Sequence, residues 1–141
     1  MKSSCALGNA KGHLPRILCV DDNILFTRII SQLLADSDYE VETVATAEEA
    51  LPRITAHERG YDIIITDSRI SGLGGTGLIA ALRAISYPAR IIATCIDITP
   101  RHLKRCQELR VDRILKKPIE LSELLGAVQA LVPQGPGNAS N

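Results

Sequence analysis

The stretch Tyr61-Asp-Ile-Ile-Ile-Thr-Asp67 decides how the rest of the chain is read. Its run of isoleucines leaves no polar face, so a strand here must be covered on both sides, as in the middle of a parallel sheet. The run stops at an acid. The same form occurs upstream in Ile17-Leu-Cys-Val-Asp-Asp-Asn23, where an apolar run ends in Asp21 and Asp22. Strand-length runs follow at 91–94 (IIAT) and 113–116 (RILK). A weaker alternating run from Tyr39 to Ala45 has Val41 and Val44 among polar neighbours, which suits an edge strand.

Segments of helical spacing lie between these runs. In 24–35, Phe26, Ile29, Ile30, Leu33 and Leu34 form one stripe. Residues 46–59 open on Thr46-Ala-Glu-Glu49, a capping box. Residues 76–86 place Leu78, Ile79, Leu82 and Ile85 together, and 100–109 begin with Thr99 as cap and Pro100 at the first helical position. Residues 120–132 carry Leu121, Leu124, Leu125, Val128 and Leu131. Alternating strands and helices predict an α/β fold, a doubly wound five-stranded parallel sheet with helices on both faces. Residues 1–15 read as a disordered leader, 16–132 as the domain, and 133–141 (PQGPGNASN) as a flexible tail or linker.

Composition narrows the function classes. With 16 basic and 16 acidic residues the net charge is zero, which argues against direct nucleic-acid binding by this segment. No apolar run reaches the roughly 18 residues of a membrane span, and the leader lacks the apolar core of a signal peptide, so a cytoplasmic location is expected. Cys5, Cys19, Cys95 and Cys106 show no metal-binding spacing, and Cys19 and Cys95, inside apolar strand runs, read as small buried apolar residues. His13, His57 and His102 are expected at the solvated surface.

In an open parallel sheet the site lies beyond the carboxyl ends of the strands. Those ends are Asp21-Asp22, Thr66-Asp67, Thr94 and Lys117-Pro118. Converging carboxylates repel one another unless a cation joins them, and a hard divalent ion such as Mg²⁺, open to a phosphate oxygen, suits all-oxygen ligands. Each acid alone could equally be a helix cap, as Asp22 or Asn23 could be for the first helix.

Taken together, Ile17–Asn23, Tyr61–Asp67, Ile91-Ile-Ala-Thr94 and Lys116-Lys-Pro118 resemble a CheY-like response-regulator receiver over residues 16–132. The resemblance implies a flavodoxin-like strand order 2-1-3-4-5. It implies Asp67 as phosphoacceptor, with Asp21, Asp22, Asp67 and the backbone carbonyl of Arg69 as the Mg²⁺ site. Thr94 and Lys117 would bind the phosphoryl oxygens, and the Lys117–Pro118 bond would be cis. The chain would then be a signalling switch rather than an enzyme, assisting its own phosphorylation and dephosphorylation. Its donor would be a histidine kinase or phosphotransfer protein, and a downstream effector would follow. The alternative is a pseudo-receiver, a protein-interaction module independent of phosphorylation.

Four departures from the family pattern stand out. Ser71 replaces the usual proline in a loop with Gly72, Gly74 and Gly75, and Ile114 occupies the place of the usual aromatic switch residue. Pro52 lies inside the second helix, where it should kink or shorten it. The last helix carries no Lys or Arg with which to pair across a dimer.

Overall fold

The computed structural model describes residues 13–56, 59–68 and 74–132, with the side chains of 74–76 excepted. Strand β1 (Arg16–Val20) leads to helix α1 (Ile24–Asp36), β2 (Glu40–Val44) and α2 (Ala47–Ala56). Then come β3 (Ile63–Asp67), α3 (Gly74–Ala84), β4 (Arg90–Cys95), α4 (Pro100–Glu108), β5 (Arg113–Lys116) and α5 (Leu121–Leu131). All strands pair in parallel in the order β2-β1-β3-β4-β5, as expected.

The apolar strands have no polar face because each face meets its own helices. Leu18, Val20, Ile64, Ile91 and Ala93 pack with Ala47, Ala50 and Ile54 of α2, Leu78 and Leu82 of α3, and Cys106 of α4. Ile17, Cys19, Ile63, Ile65 and Ile92 face the other way, against Ile30 and Leu34 of α1 and Leu124 and Val128 of α5. Truncating a buried isoleucine such as Ile64 to alanine should therefore cost roughly 3 kcal/mol. β2 is half-exposed, as its alternation foretold, and so is β5 at the opposite edge.

The caps are local and largely legible. Asn23 Oδ1 accepts the Phe26 N–H at 3.1 Å to start α1. Thr46 and Glu49 exchange hydrogen bonds of 3.1 and 3.2 Å as a capping box. Thr99 accepts from His102 N at 3.1 Å, with Pro100 beginning α4. Two helices differ in extent from their sequence spacing. α2 runs through Pro52 and is described from Ala47 to Ala56, within the 46–59 of the helical spacing; the proline removes one backbone donor while Ala50 and Ile54 bury the inner face. α3 begins at Gly74, so Gly74 and Gly75 belong to its first turn instead of a loose loop. Ser71, Gly72, His57, and residues 1–12 and 133–141 lie outside the described residues. Within the described residues no helix is long and apolar enough to cross a membrane.

Candidate functional site

Strand register assembles the site before any side chain is considered. Val20 of β1 stands opposite Thr66 of β3, so the next step along each strand sets Asp21 beside Asp67. Asp67 in turn stands opposite Thr94 of β4, and Cys95 opposite Lys116, one residue before Lys117. Parallel pairing thus carries Asp21, Asp67, Thr94 and Lys117 to one edge, at the point where the chain leaves β1 in opposite directions to reach β2 and β3.

Carboxylate oxygens of Asp21, Asp22 and Asp67 lie within 4.8 Å of one another. Asp21 is buried, Asp67 is half-buried and Asp22 is exposed. Lys117 bridges two of the acids, its Nζ donating to Asp21 Oδ2 at 2.7 Å and to Asp67 Oδ2 at 3.2 Å. The Phe26 ring lies 4.8 Å beneath the same ammonium. Burial pulls the Lys117 pKa down, but hydrogen bonds to Asp21 and Asp67 and their charges outweigh it, so the net pKa is raised. The Lys117–Pro118 bond is cis. Asp21 Oδ1 also accepts the Asn23 N–H at 2.9 Å, which fixes the turn from β1 into α1.

Thr94 is the odd member of the group. Its hydroxyl is fully buried and has no hydrogen-bond partner among the described residues. A buried hydroxyl left unpaired costs about 1–3 kcal/mol, a cost that a ligand accepting its hydrogen would remove. Cys19, under the same edge, is not a rival nucleophile: burial, with the nearby Asp21 charge, pushes its thiol up to about 12. Cys95 is buried as well, in line with the apolar reading; Cys106 of α4 is also buried, and Cys5 lies outside the described residues.

The structure brings Asp21, Asp22, Asp67, Thr94 and Lys117 together; Arg69 lies outside the described residues. One expectation is overturned. His102 is half-buried instead of solvated, with Nε2 2.8 Å from Ser68 Oγ and 3.8 Å from Cys106 Sγ. It occupies the first turn of α4, over the end of β3, where polar neighbours in sequence hide its inward face. Neither Ser68 nor His102 could be picked out by spacing, because the two meet across 34 residues of chain. His13 is exposed.

The arrangement offers clustered acids for a hard cation, an ammonium, and a buried donor without a partner, all around the carboxylate at the end of β3. A model of the response regulator receiver domain matches residues 17–129. A two-component response regulator of Arabidopsis thaliana is 33% identical over 110 residues, covering 77% of this chain but 21% of its own length. One from Oryza sativa subsp. indica is 30% identical over 112 residues, covering 78% of this chain and 85% of the relative. Among solved structures, chemotaxis protein CheY4 of Vibrio cholerae superimposes with a TM-score of 0.77 at 28% identity, over 84% of this chain and 98% of that one. A CheY-like receiver protein of Methanospirillum hungatei does so with 0.77 at 25%, over 83% and 92%.

Proposed function

Since the chain belongs to the response regulator receiver domain family, we propose that it is a signalling switch that takes a phosphoryl group on Asp67 from a phosphohistidine of a partner protein. The observation that carries this reading is the buried, unpartnered Thr94 hydroxyl opposite Asp67. It stands where a phosphoryl oxygen attached to Asp67 would accept its hydrogen bond. An interaction module with no phosphate to bind would have no use for that orphan donor.

In the transfer, an Asp67 carboxylate oxygen forms a bond to phosphorus while the bond from phosphorus to the partner's imidazole nitrogen breaks. The electron pair leaves with the imidazole, which is protonated. Such transfers need positioning and charge neutralisation more than covalent push. Lys117, held charged by Asp21 and Asp67, lies beside the acceptor and can turn to the incoming oxygens. Thr94 supplies a fixed donor that needs no reorganisation. Asp21, Asp22 and Asp67 would hold Mg²⁺, with the Arg69 carbonyl as a further ligand, and the bound ion would neutralise charge on the phosphoryl oxygens. The all-oxygen donor set fits that ion.

A protein donor suits the rim of the site. Ile24 and Leu25, 67% and 71% exposed, stand just beyond Asp22 and would be covered by a partner offering its histidine. The test is labelling by a small phosphodonor, or beryllofluoride binding, in the presence of Mg²⁺. Wild type should respond, and Asp67→Asn should lose the response entirely while keeping its fold by circular dichroism. Labelling that survives Asp67→Asn removes Asp67 as acceptor. A wild type that never responds leaves the phosphorylation-independent interaction module standing.

A further inference from the structure

Helix α4 is the most thinly anchored helix of the fold. Of its nine residues only Cys106 is buried, whereas α1, α2 and α5 each bury three and α3 buries Leu78, Ile79 and Leu82. What fixes its first turn is therefore disproportionately polar. His102 N donates to Thr99 Oγ1 at 3.1 Å, and the His102 ring reaches down to Ser68 Oγ at 2.8 Å. Ser68 is held in turn by a single acceptor, the Thr94 carbonyl, which takes its N–H at 2.9 Å and its hydroxyl at 3.1 Å.

The Ser68 hydroxyl has one hydrogen and two neighbours, Thr94 O at 3.1 Å and His102 Nε2 at 2.8 Å, so its direction and the imidazole tautomer are set together. With the hydroxyl hydrogen on Thr94 O, Ser68 Oγ accepts from a protonated Nε2; with it on Nε2, Thr94 O keeps the Ser68 N–H alone. Ser68 directly follows Asp67, and Thr94 bears both the orphan hydroxyl and the carbonyl that anchors Ser68. We propose that His102 is a positioning residue that couples Asp67 to α4 through the Ser68 hydroxyl and the Thr94 carbonyl. This rests on Asp67 being the phosphoacceptor. When Thr94 turns its hydroxyl to a phosphoryl group on Asp67, the anchor of Ser68 shifts, and α4 feels the change through His102. The usual aromatic relay has no counterpart, since Ile114 packs against the apolar core and offers no polar group.

The experiment uses the full chain labelled with ¹⁵N, with and without beryllofluoride and Mg²⁺. Without ligand, the His102 ring nitrogens should show one favoured tautomer, and Ser68→Ala should abolish that bias. His102→Leu should speed amide exchange across residues 101–108 about three- to tenfold, the effect of one neutral hydrogen bond on a locally opening helix. It should also reduce the beryllofluoride-induced change in α4 protection to less than about a third of wild type. Ser68→Ala should do the same, and His102→Gln, which keeps a donor at similar reach, should restore the response. A full α4 response in both His102→Leu and Ser68→Ala overturns the coupling while beryllofluoride shifts at Asp67 and Thr94 persist. Absence of those shifts in wild type overturns the phosphoacceptor reading, and the coupling with it.

Discussion

The two ends of the sheet both gather charge, and they handle it in opposite ways. At the amino end, Arg16 is 1% exposed yet fully engaged. Its guanidinium donates to Glu40 at 3.1 Å, to Glu42, and to the Gly60 carbonyl at 2.8 Å, while lying 4.5 Å from the centre of the Tyr61 ring. Tyr61 and Arg53 bind Glu42 from outside at 2.7 and 3.0 Å, and Arg59 binds Glu40 at 3.2 Å. Donors meet acceptors and charges nearly cancel. At the carboxyl end, among the described residues, three carboxylates gather around one ammonium, and a buried hydroxyl lacks a partner. A balanced cluster holds a fold together; an unbalanced one is stable only in company and so responds to what arrives.

The amino end should break hardest. Arg16→Ala leaves Glu40 and Glu42 without their shared cation and opens space in a buried site. It should cost about 3 kcal/mol of unfolding free energy in urea. A loss under about 1 kcal/mol would show that the network is ornamental. At the carboxyl end, Lys117→Ala should lower the rate of phosphodonor labelling about a hundredfold, as for loss of one preorganised electrostatic partner. Mg²⁺ makes the contrast sharper. The ion should recover melting temperature lost in Lys117→Ala, since it replaces the missing positive charge, and should recover none in Arg16→Ala. Equal rescue at both ends would erase the distinction drawn here.

Asp22→Ala takes one like charge from the acidic group, and its side chain is exposed, so the effect is small and favourable. The melting temperature in metal-free buffer should rise by about 2 °C, while Mg²⁺ binding weakens. A fall would mean that the acids are not crowded. The smallest effect concerns pH. Burial alone would raise the Glu42 pKa, but hydrogen bonds from Tyr61 and Arg16 and the Arg16 charge outweigh it, leaving it below its ordinary 4.5. A depressed carboxylate stabilises the fold above its unfolded pKa, and that contribution is lost as pH falls through the folded value. Glu42→Gln should therefore flatten the stability slope below pH 4.5, as read by thermal melts from pH 5 to pH 3. An unchanged slope would place the acid sensitivity elsewhere.

Sequence alone determined the sheet, its edge strand β2, the caps at Thr46 and Thr99, and the gathering of Asp21, Asp67, Thr94 and Lys117. The reason is that strand and helix periods are local, while parallel pairing carries every strand's last residue to the same edge. Family resemblance added the strand order and the roles expected of those residues. Tertiary structure alone decided what Arg16, Ser68 and His102 do. An arginine opening a strand looks like a solvated flank until β2 brings Glu40 and Glu42 to it from 24 and 26 residues away. A histidine among polar helix residues looks solvated until α4 is laid across the end of β3. Side-chain pairs across such distances leave no period in the chain, because their spacing is set by how layers pack and not by how any one element winds.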